Sequence, residues 1–184
     1  MKKRPGSDPK KWKGLIIVLT GDGKGKSTAA YGLAIRAAGN KMKVFILQFM
    51  KGQWKTGERK AVESLSPWIE VVAIGDGFTW DTNNPEQDRK TASKAWSIVE
   101  PKILSGDYQM VILDEINYVL DYGFLDKKEF LETLKNKPAS VHVVCTGRNA
   151  SEELIEIADL VTEMKCLKHP FADQAIPAQK GIEF

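Results

Sequence analysis

The chain has 184 residues, of which 42% are hydrophobic and 28% are charged, and its formal net charge is +3. This length fits one domain, and this apolar fraction excludes a disordered or fibrous protein. Residues 1–13 hold six Lys or Arg residues against one Asp, so the remainder is slightly acidic and lacks the basic surface of a nucleic-acid-binding protein.

These values predict a basic, poorly ordered segment over residues 1–13 and a single domain over residues 14–184. Two cysteines, Cys145 and Cys166, are too few for a disulfide scaffold or a cysteine-rich metal site. No apolar window approaches the roughly 18 residues that a membrane span needs, and the apolar run at 15–19 is too short for a signal peptide. We therefore expect a cytoplasmic protein that does not interact with membranes.

Short apolar runs alternate with helical patterns along the chain. The first helical pattern ends at Gly39, the next begins at Asn84-Pro85, and others follow Asp126 and Ser151, where capping residues start helices. Because the apolar runs are continuous rather than alternating, they are typical of strands covered on both faces. The runs lie at residues 15–19, 44–49, 69–74, 110–113, 141–145 and 160–164. This alternation predicts a three-layer α/β domain with a mainly parallel sheet.

A glycine-rich loop joins the first predicted strand directly to the first predicted helix. Its sequence is Thr20-Gly21-Asp22-Gly23-Lys24-Gly25-Lys26-Ser27-Thr28. Glycines let successive N–H groups converge on an anion, Lys26 can neutralise phosphate oxygens, and Ser27 offers a hydroxyl to Mg²⁺. We predict that Gly21 to Thr28 bind a triphosphate, with a merely structural turn as the alternative. Only three residues separate Gly21 from Gly25, one fewer than in the usual phosphate loop.

Two adjacent carboxylates end a later apolar run. Asp114 and Glu115 follow residues 110–113, and carboxylates at such a strand end hold Mg²⁺ directly or through water. With a phosphate loop upstream, we predict a metal site formed by Ser27, Asp114 and Glu115, rather than a solvated strand terminus. Arg148 follows the fifth predicted strand and is a candidate ATP contact, with a surface ion pair as the alternative.

Large aromatic residues occur in the loops that follow the second and third predicted strands. The loop after the third strand reads Gly77-Phe78-Thr79-Trp80, and the one after the second contains Trp54. Ligands bind at this edge of a parallel sheet, so these aromatic residues fit a substrate site, although a loop folded back on the core would have the same pattern.

Taken together, these motifs closely resemble the cob(I)alamin adenosyltransferases of the CobA/BtuR type, the ATP:corrinoid adenosyltransferases. The likeness covers about residues 14–184 and includes the shortened phosphate loop. The other matching motifs are Gln48-Phe49-x-Lys51-Gly52-x-Trp54, Gly57-Glu58-Arg59, Gly77-Phe78-Thr79-Trp80, Leu113-Asp114-Glu115, Thr146-Gly147-Arg148, Lys168-His169 and Gly181-Ile182-Glu183-Phe184.

The resemblance implies a RecA-like P-loop NTPase domain, usually a homodimer, that transfers the 5′-deoxyadenosyl group of ATP to the cobalt of a reduced corrinoid and releases triphosphate. It implies that the nucleotide lies in the reverse sense from other P-loop enzymes, with Ser27 and Glu115 near Mg²⁺ (or Mn²⁺ as an alternative ion). It also implies that Phe78 and Trp80 cover the lower face of cobalamin, cobinamide or another corrinoid. We expect Lys26, Phe78 and Trp80 to act in catalysis, and a flavodoxin-like protein to supply the electron.

Two other functions fit the same motifs. A P-loop small-molecule kinase or ATPase would act at the γ-phosphate, but the loop is short and no base or arginine finger is evident for that reaction. The second alternative is a nucleotide-dependent protein that binds corrinoid without catalysing a reaction on it. Analysis of the products distinguishes them, since the transferase releases intact triphosphate and the kinase or ATPase gives ADP.

Overall fold

The computed structural model describes residues 12–50, 57–74 and 84–183. The predicted segment at residues 1–13 falls almost entirely outside these ranges, so it and the predicted domain limits stay predictions. Within the described ranges, no helix combines the length and the apolar character needed to span a membrane.

The described residues form one six-stranded sheet in the order β3-β2-β4-β5-β1-β6, and every neighbouring pair is parallel. The strands are β1 Ile16–Thr20, β2 Val44–Gln48, β3 Ile69–Ala73, β4 Met110–Asp114, β5 His142–Thr146 and β6 Leu160–Glu163. The helices are α1 Lys26–Gly39, α2 Gly57–Glu63, α3 Pro85–Ser105, α4 Ile116–Asp121, α5 Lys127–Asn136, α6 Glu152–Ile157 and α7 Pro170–Gln174. The six predicted strands are confirmed, with ends that differ by at most one residue.

Helices cover both faces of the sheet. On one face α1 and α2 pack against the alternate strand residues that include Val44, Ile46 and Ile112. On the other face α3, α4, α5 and α6 pack against residues such as Phe45 and Val111. Because side chains alternate across a strand, each central strand contributes to both cores, which explains its continuous apolar sequence. The predicted three-layer α/β domain is confirmed.

Side-chain caps begin the helices at the predicted positions. The Asn84 side chain accepts a hydrogen bond from the backbone N–H of Gln87, and Asp126 accepts one from Glu129. Such caps satisfy N–H groups that have no partner within the helix. This confirms that the local sequence determines where α3 and α5 begin.

A histidine at the start of β5 links stability to pH. The backbone N–H of Leu15 donates to His142 Nδ1 at 3.1 Å, and burial together with nearby Lys137 lowers the pKa of His142 below its ordinary value of 6.5. As pH falls below 6.5, the unfolded chain therefore takes up this proton before the folded chain does. We expect the free energy of unfolding to fall between pH 7.5 and pH 5.5.

His142→Asn is the matched variant, because its amide oxygen can accept the same bond without titrating. Urea unfolding at several pH values should show a smaller loss of stability for this variant than for the unchanged chain. Equal slopes in the two proteins would contradict the assignment.

Candidate active site

The glycine-rich loop lies at the carboxyl edge of the sheet and is fixed by the segment after β6. The backbone N–H of Met164 donates to Thr20 O at 2.8 Å, and that of Gly23 donates to Met164 O at 2.6 Å. Gly21 and Gly25 have φ of 91° and 111°, in the left-handed region that favours glycine. The loop thus bends between the end of β1 and the start of α1 while its backbone packs directly on residues 163–165.

This close packing makes Gly23 sensitive to substitution. A Cβ at Gly23 would lie 2.7 Å from Met164 O and 2.9 Å from Lys165 C, both of which are backbone atoms that a rotamer change cannot move. We expect Gly23→Ala to lower the free energy of unfolding by about 1–3 kcal/mol and to weaken nucleotide binding, because the loop must shift.

Gly39→Ala on α1 is the control, since a Cβ there meets nothing within 4 Å. Alanine suits a helix better than glycine, so this variant should be unchanged or stabilised by up to about 1 kcal/mol. Calorimetric melting and nucleotide titration of both variants check the pair. Equal behaviour of the two variants would show that the loop does not depend on this packing.

Lys26 lies within the loop. Its Nζ donates to Gly21 O and Gly23 O, both at 2.7 Å. Burial lowers the pKa of the Lys26 ammonium below its ordinary value, and the Glu115 carboxylate opposes that shift. The Lys26 side chain therefore lies against the loop backbone and donates to two carbonyl oxygens, which are weak acceptors that an anionic ligand can replace.

Four more charged groups lie around the loop and form two pairs. Arg148 Nε lies 3.7 Å from Asp22 Oδ1, and both side chains are exposed at the rim. Lys24 Nζ donates to Glu183 Oε2 at 2.7 Å. Arg148 therefore forms the surface ion pair with Asp22 and also lines the cavity beside the loop, while its contact with ATP stays a prediction.

The predicted metal-site residues divide into two kinds. Ser27 and Glu115 line the same cavity, whereas Asp114 is fully buried behind it. Asp114 accepts hydrogen bonds from Thr146 Oγ1 at 2.8 Å and Gln48 Nε2 at 3.2 Å. Thr146 Oγ1 also accepts from the backbone N–H of Glu115 at 2.9 Å. Asp114 is thus linked through Thr146 to the backbone of Glu115, the residue that faces the cavity.

The backbone at Glu115 directs its carboxylate toward the loop after β5. Glu115 has φ of 68°, and a Cβ at Gly147 would lie 3.3 Å from Glu115 Oε2. Asn117 Nδ2 donates to Gly147 O at 2.9 Å and fixes that neighbouring loop. A hydroxyl and a carboxylate are hard oxygen ligands, so Ser27 and Glu115 fit Mg²⁺. The described ranges contain no cluster of three or more His, Cys, Asp or Glu placed for a metal, so phosphate oxygens and water would supply the other ligands.

These elements enclose a cavity of about 710 Å³. Its walls include the predicted residues Asp22 to Thr28, Glu115 and Arg148. Gly21 and Asp114 lie behind the wall, and Phe78 and Trp80 fall outside the described residues. This volume accommodates a nucleotide beside the loop.

Several residues of the cavity wall were given no site role from the sequence, although those at 57–58 and 181–183 belong to motifs that carry the family resemblance. They are Tyr31, Gly32 and Ile35 of α1, Gly57 and Glu58 of α2, Tyr118 of α4, and Gly181, Ile182 and Glu183. Tyr31 follows the loop at helical spacing, which could have been recognised. Its hydroxyl is buried without a hydrogen-bond partner in the described part of the chain, and burial raises the pKa of the phenol, with Asp114 adding to the shift.

Comparison with known proteins identifies the family. Residues 12–184 match the family described as ATP:corrinoid adenosyltransferase BtuR/CobO/CobP. A corrinoid adenosyltransferase from a Sinorhizobium species is 48% identical over 174 residues, which are 94% of this chain and 81% of the relative. Proteins of the same name from Pseudomonas aeruginosa and Escherichia coli K12 are 41% and 40% identical over 94% of this chain and 84% and 86% of their own lengths. The resemblance inferred from the motifs is confirmed, and the chain belongs to the ATP:corrinoid adenosyltransferase family.

Proposed function

We propose that the chain transfers the 5′-deoxyadenosyl group of ATP to the Co(I) centre of a reduced corrinoid and releases triphosphate. The observation that carries this proposal is the family match over residues 12–184, which includes the whole loop and the other described walls of the cavity. The geometry of the loop supports it, because backbone N–H groups, Lys24, Lys26 and Arg148 surround a space of nucleotide size.

The reaction needs little acid or base chemistry from the protein. The electron pair of Co(I) attacks the ribose C5′, the bond from C5′ to the α-phosphate oxygen breaks, and that oxygen leaves with the bonding pair. Cobalt becomes formally Co(III), and triphosphate departs with a large negative charge. The protein therefore contributes mainly by aligning the two reactants and by stabilising the leaving group.

Lys26 has the main part in leaving-group stabilisation in this proposal. Its ammonium now contacts the carbonyl oxygens of Gly21 and Gly23, both at 2.7 Å. Phosphate oxygens carry a full charge and are stronger acceptors than carbonyl groups, so we expect Lys26 to bind the triphosphate when ATP is present. Lys24, Arg148, the N-terminus of α1 and the loop N–H groups other than that of Gly23, which donates to Met164 O, would contact the rest of the anion.

We propose that Ser27 and Glu115 hold Mg²⁺, with Mn²⁺ as an alternative, while Asp114 keeps Glu115 in place through Thr146. A bound divalent ion neutralises part of the charge on the triphosphate. Two observations support this: Ser27 and Glu115 line the same cavity, and Thr146 Oγ1 donates to Asp114 while it accepts from the N–H of Glu115.

The corrinoid partner residues are proposed from the motif alone. Phe78 and Trp80 lie outside the described residues, and we propose that they exclude water and the lower axial ligand from cobalt. Removing that ligand favours reduction to Co(I), and aromatic side chains provide contact area without competing ligands. A flavodoxin-like electron donor, a homodimer and a cytoplasmic location complete the proposal.

Trp80→Ala should leave ATP binding unchanged and lower adenosylation more strongly when cobalt must be reduced on the enzyme than when Co(I) is supplied chemically. Titration with ATP and parallel assays starting from Co(II) and Co(I) check this. If Trp80→Ala weakens ATP binding instead, the assigned role is wrong.

The main test follows both products under anaerobic conditions. Protein, ATP, Mg²⁺ and chemically reduced cobalamin should lose the Co(I) absorption spectrum and yield one triphosphate per adenosylated corrinoid. Formation of ADP with unchanged Co(I) would instead support a kinase or ATPase. Binding of ATP without either change would support a protein that binds corrinoid without chemistry.

A further inference from the structure

Residues 177–183 form a segment whose last three residues are part of the wall of the cavity beside the phosphate loop. Gly181, Ile182 and Glu183 line the cavity together with residues of the loop. Glu183 Oε2 accepts a hydrogen bond from Lys24 Nζ at 2.7 Å, with the lysine side chain 51% and the glutamate side chain 21% exposed. A carboxylate thus contacts one of the two loop cations available for phosphate.

This segment has few other attachments. The backbone N–H groups of Ile182 and Glu183 both donate to Gln179 O, so the turn is closed on itself. The Ile182 side chain is 80% exposed and is not packed into the core. Among hydrogen bonds and ion pairs within the described ranges, the bond from Lys24 to Glu183 is the one that ties residues 177–183 to the rest of the protein. Lys24 is therefore the polar anchor of the segment within the described ranges.

A carboxylate and a triphosphate compete for the same cation. Triphosphate carries more charge than Glu183, and it can also bind Lys26, Arg148 and the loop N–H groups at the same time. An ion pair this exposed contributes little to stability, so its exchange for phosphate is easy. After the adenosyl group has been transferred, the carboxylate can return to Lys24 as the anion leaves.

We propose that Glu183 and the triphosphate bind Lys24 in turn. Binding of the anion displaces Glu183 and releases residues 181–183 from the cavity wall, and the return of Glu183 to Lys24 promotes release of the triphosphate product. The inference rests on the proposed function for the identity of the anion. Glu183 is thereby a residue that sets the affinity for the product and does not touch the reacting carbon or cobalt.

The first test measures binding of inorganic triphosphate with Mg²⁺ by calorimetry. E183Q should bind triphosphate about two- to five-fold more tightly, because the substitution removes the carboxylate that competes for Lys24. The effect is small because an exposed ion pair contributes little free energy. Asp107→Asn removes one negative charge before β4, at the opposite edge of the sheet, and should leave the affinity unchanged. In a K24Q background, E183Q should have no further effect. Unchanged or weaker binding by E183Q alone would overturn the proposal.

A second test follows the position of the segment by trypsin cleavage after Lys180, which is exposed within it. Triphosphate should accelerate this cleavage in the unchanged chain, while E183Q should be cleaved fast with or without it. Mass spectrometry identifies the bond that is cut. Protection of Lys180 by triphosphate would show that the segment closes over the anion instead. Neither test needs adenosyl transfer, so failure here is distinguishable from failure of the proposed function.

Discussion

Replacing Lys26 with methionine should lower kcat/KM for ATP by about 10- to 150-fold and leave the fold intact. The variant loses a charged hydrogen-bond donor to the departing triphosphate, and such bonds contribute about 1.5–3 kcal/mol. In the structure Lys26 Nζ donates to two loop carbonyls, Gly21 O and Gly23 O. Without Lys26, these two carbonyl oxygens can partly accept hydrogen bonds from water instead. We therefore expect a small change in melting temperature and a large loss of activity.

The pH dependence gives a second signature of Lys26. Burial lowers the pKa of its ammonium, and only the protonated form stabilises the leaving triphosphate. For the unchanged chain, kcat/KM for ATP should therefore fall on the alkaline side with an inflection below the ordinary lysine value of 10.5. This inflection should be missing in Lys26→Met.

The matched control is Lys43→Met, which removes an exposed lysine just before β2, at the edge of the sheet away from the loop. Steady-state kinetics at several ATP concentrations, with a saturating supply of Co(I) corrinoid, measure both variants. Equal and small effects for Lys26→Met and Lys43→Met would show that Lys26 does not act on the leaving group.

The sequence was sufficient to predict the fold because its signals are local. Continuous apolar runs mark buried parallel strands, and the side chains of Asn84 and Asp126 begin helices where their hydrogen bonds are needed. The loop at Gly21 to Thr28 was predictable for the same reason, because the residues expected to bind phosphate are consecutive in the sequence between a strand and a helix. The adjacent carboxylates Asp114 and Glu115 were also recognisable as a pair.

Contacts between distant segments could not be predicted in this way. Met164 packs against the loop because β6 pairs with β1, and this order of strands is not visible in the sequence of either segment. Glu183 reaches Lys24 across 159 positions. The different placements of Asp114 and Glu115 depend on backbone geometry: Glu115 has φ of 68° and lines the cavity, while its neighbour Asp114 is fully buried.

Thr146 is the least apparent of these distant contacts, and its replacement with valine should have a large effect on stability and on metal use. Its hydroxyl donates to Asp114 Oδ1 at 2.8 Å and accepts from the N–H of Glu115 at 2.9 Å, and the residue is fully buried. Valine has nearly the same shape but can form neither bond. We expect the free energy of unfolding to fall by about 2–4 kcal/mol, because one lost bond involves a charged group and the other a backbone N–H.

The effect on activity should be separable from the loss of stability. Because the hydroxyl fixes the backbone at Glu115, Thr146→Val should require a higher Mg²⁺ concentration for half-maximal activity, at a temperature where the variant is fully folded. Thr146→Ser keeps the hydroxyl and loses only a methyl group, so its Mg²⁺ requirement should stay near that of the unchanged chain even if its packing is weaker. A Thr146→Val variant that is destabilised but has a normal Mg²⁺ requirement would mean that Asp114 and Thr146 support the fold without positioning Glu115 for the metal.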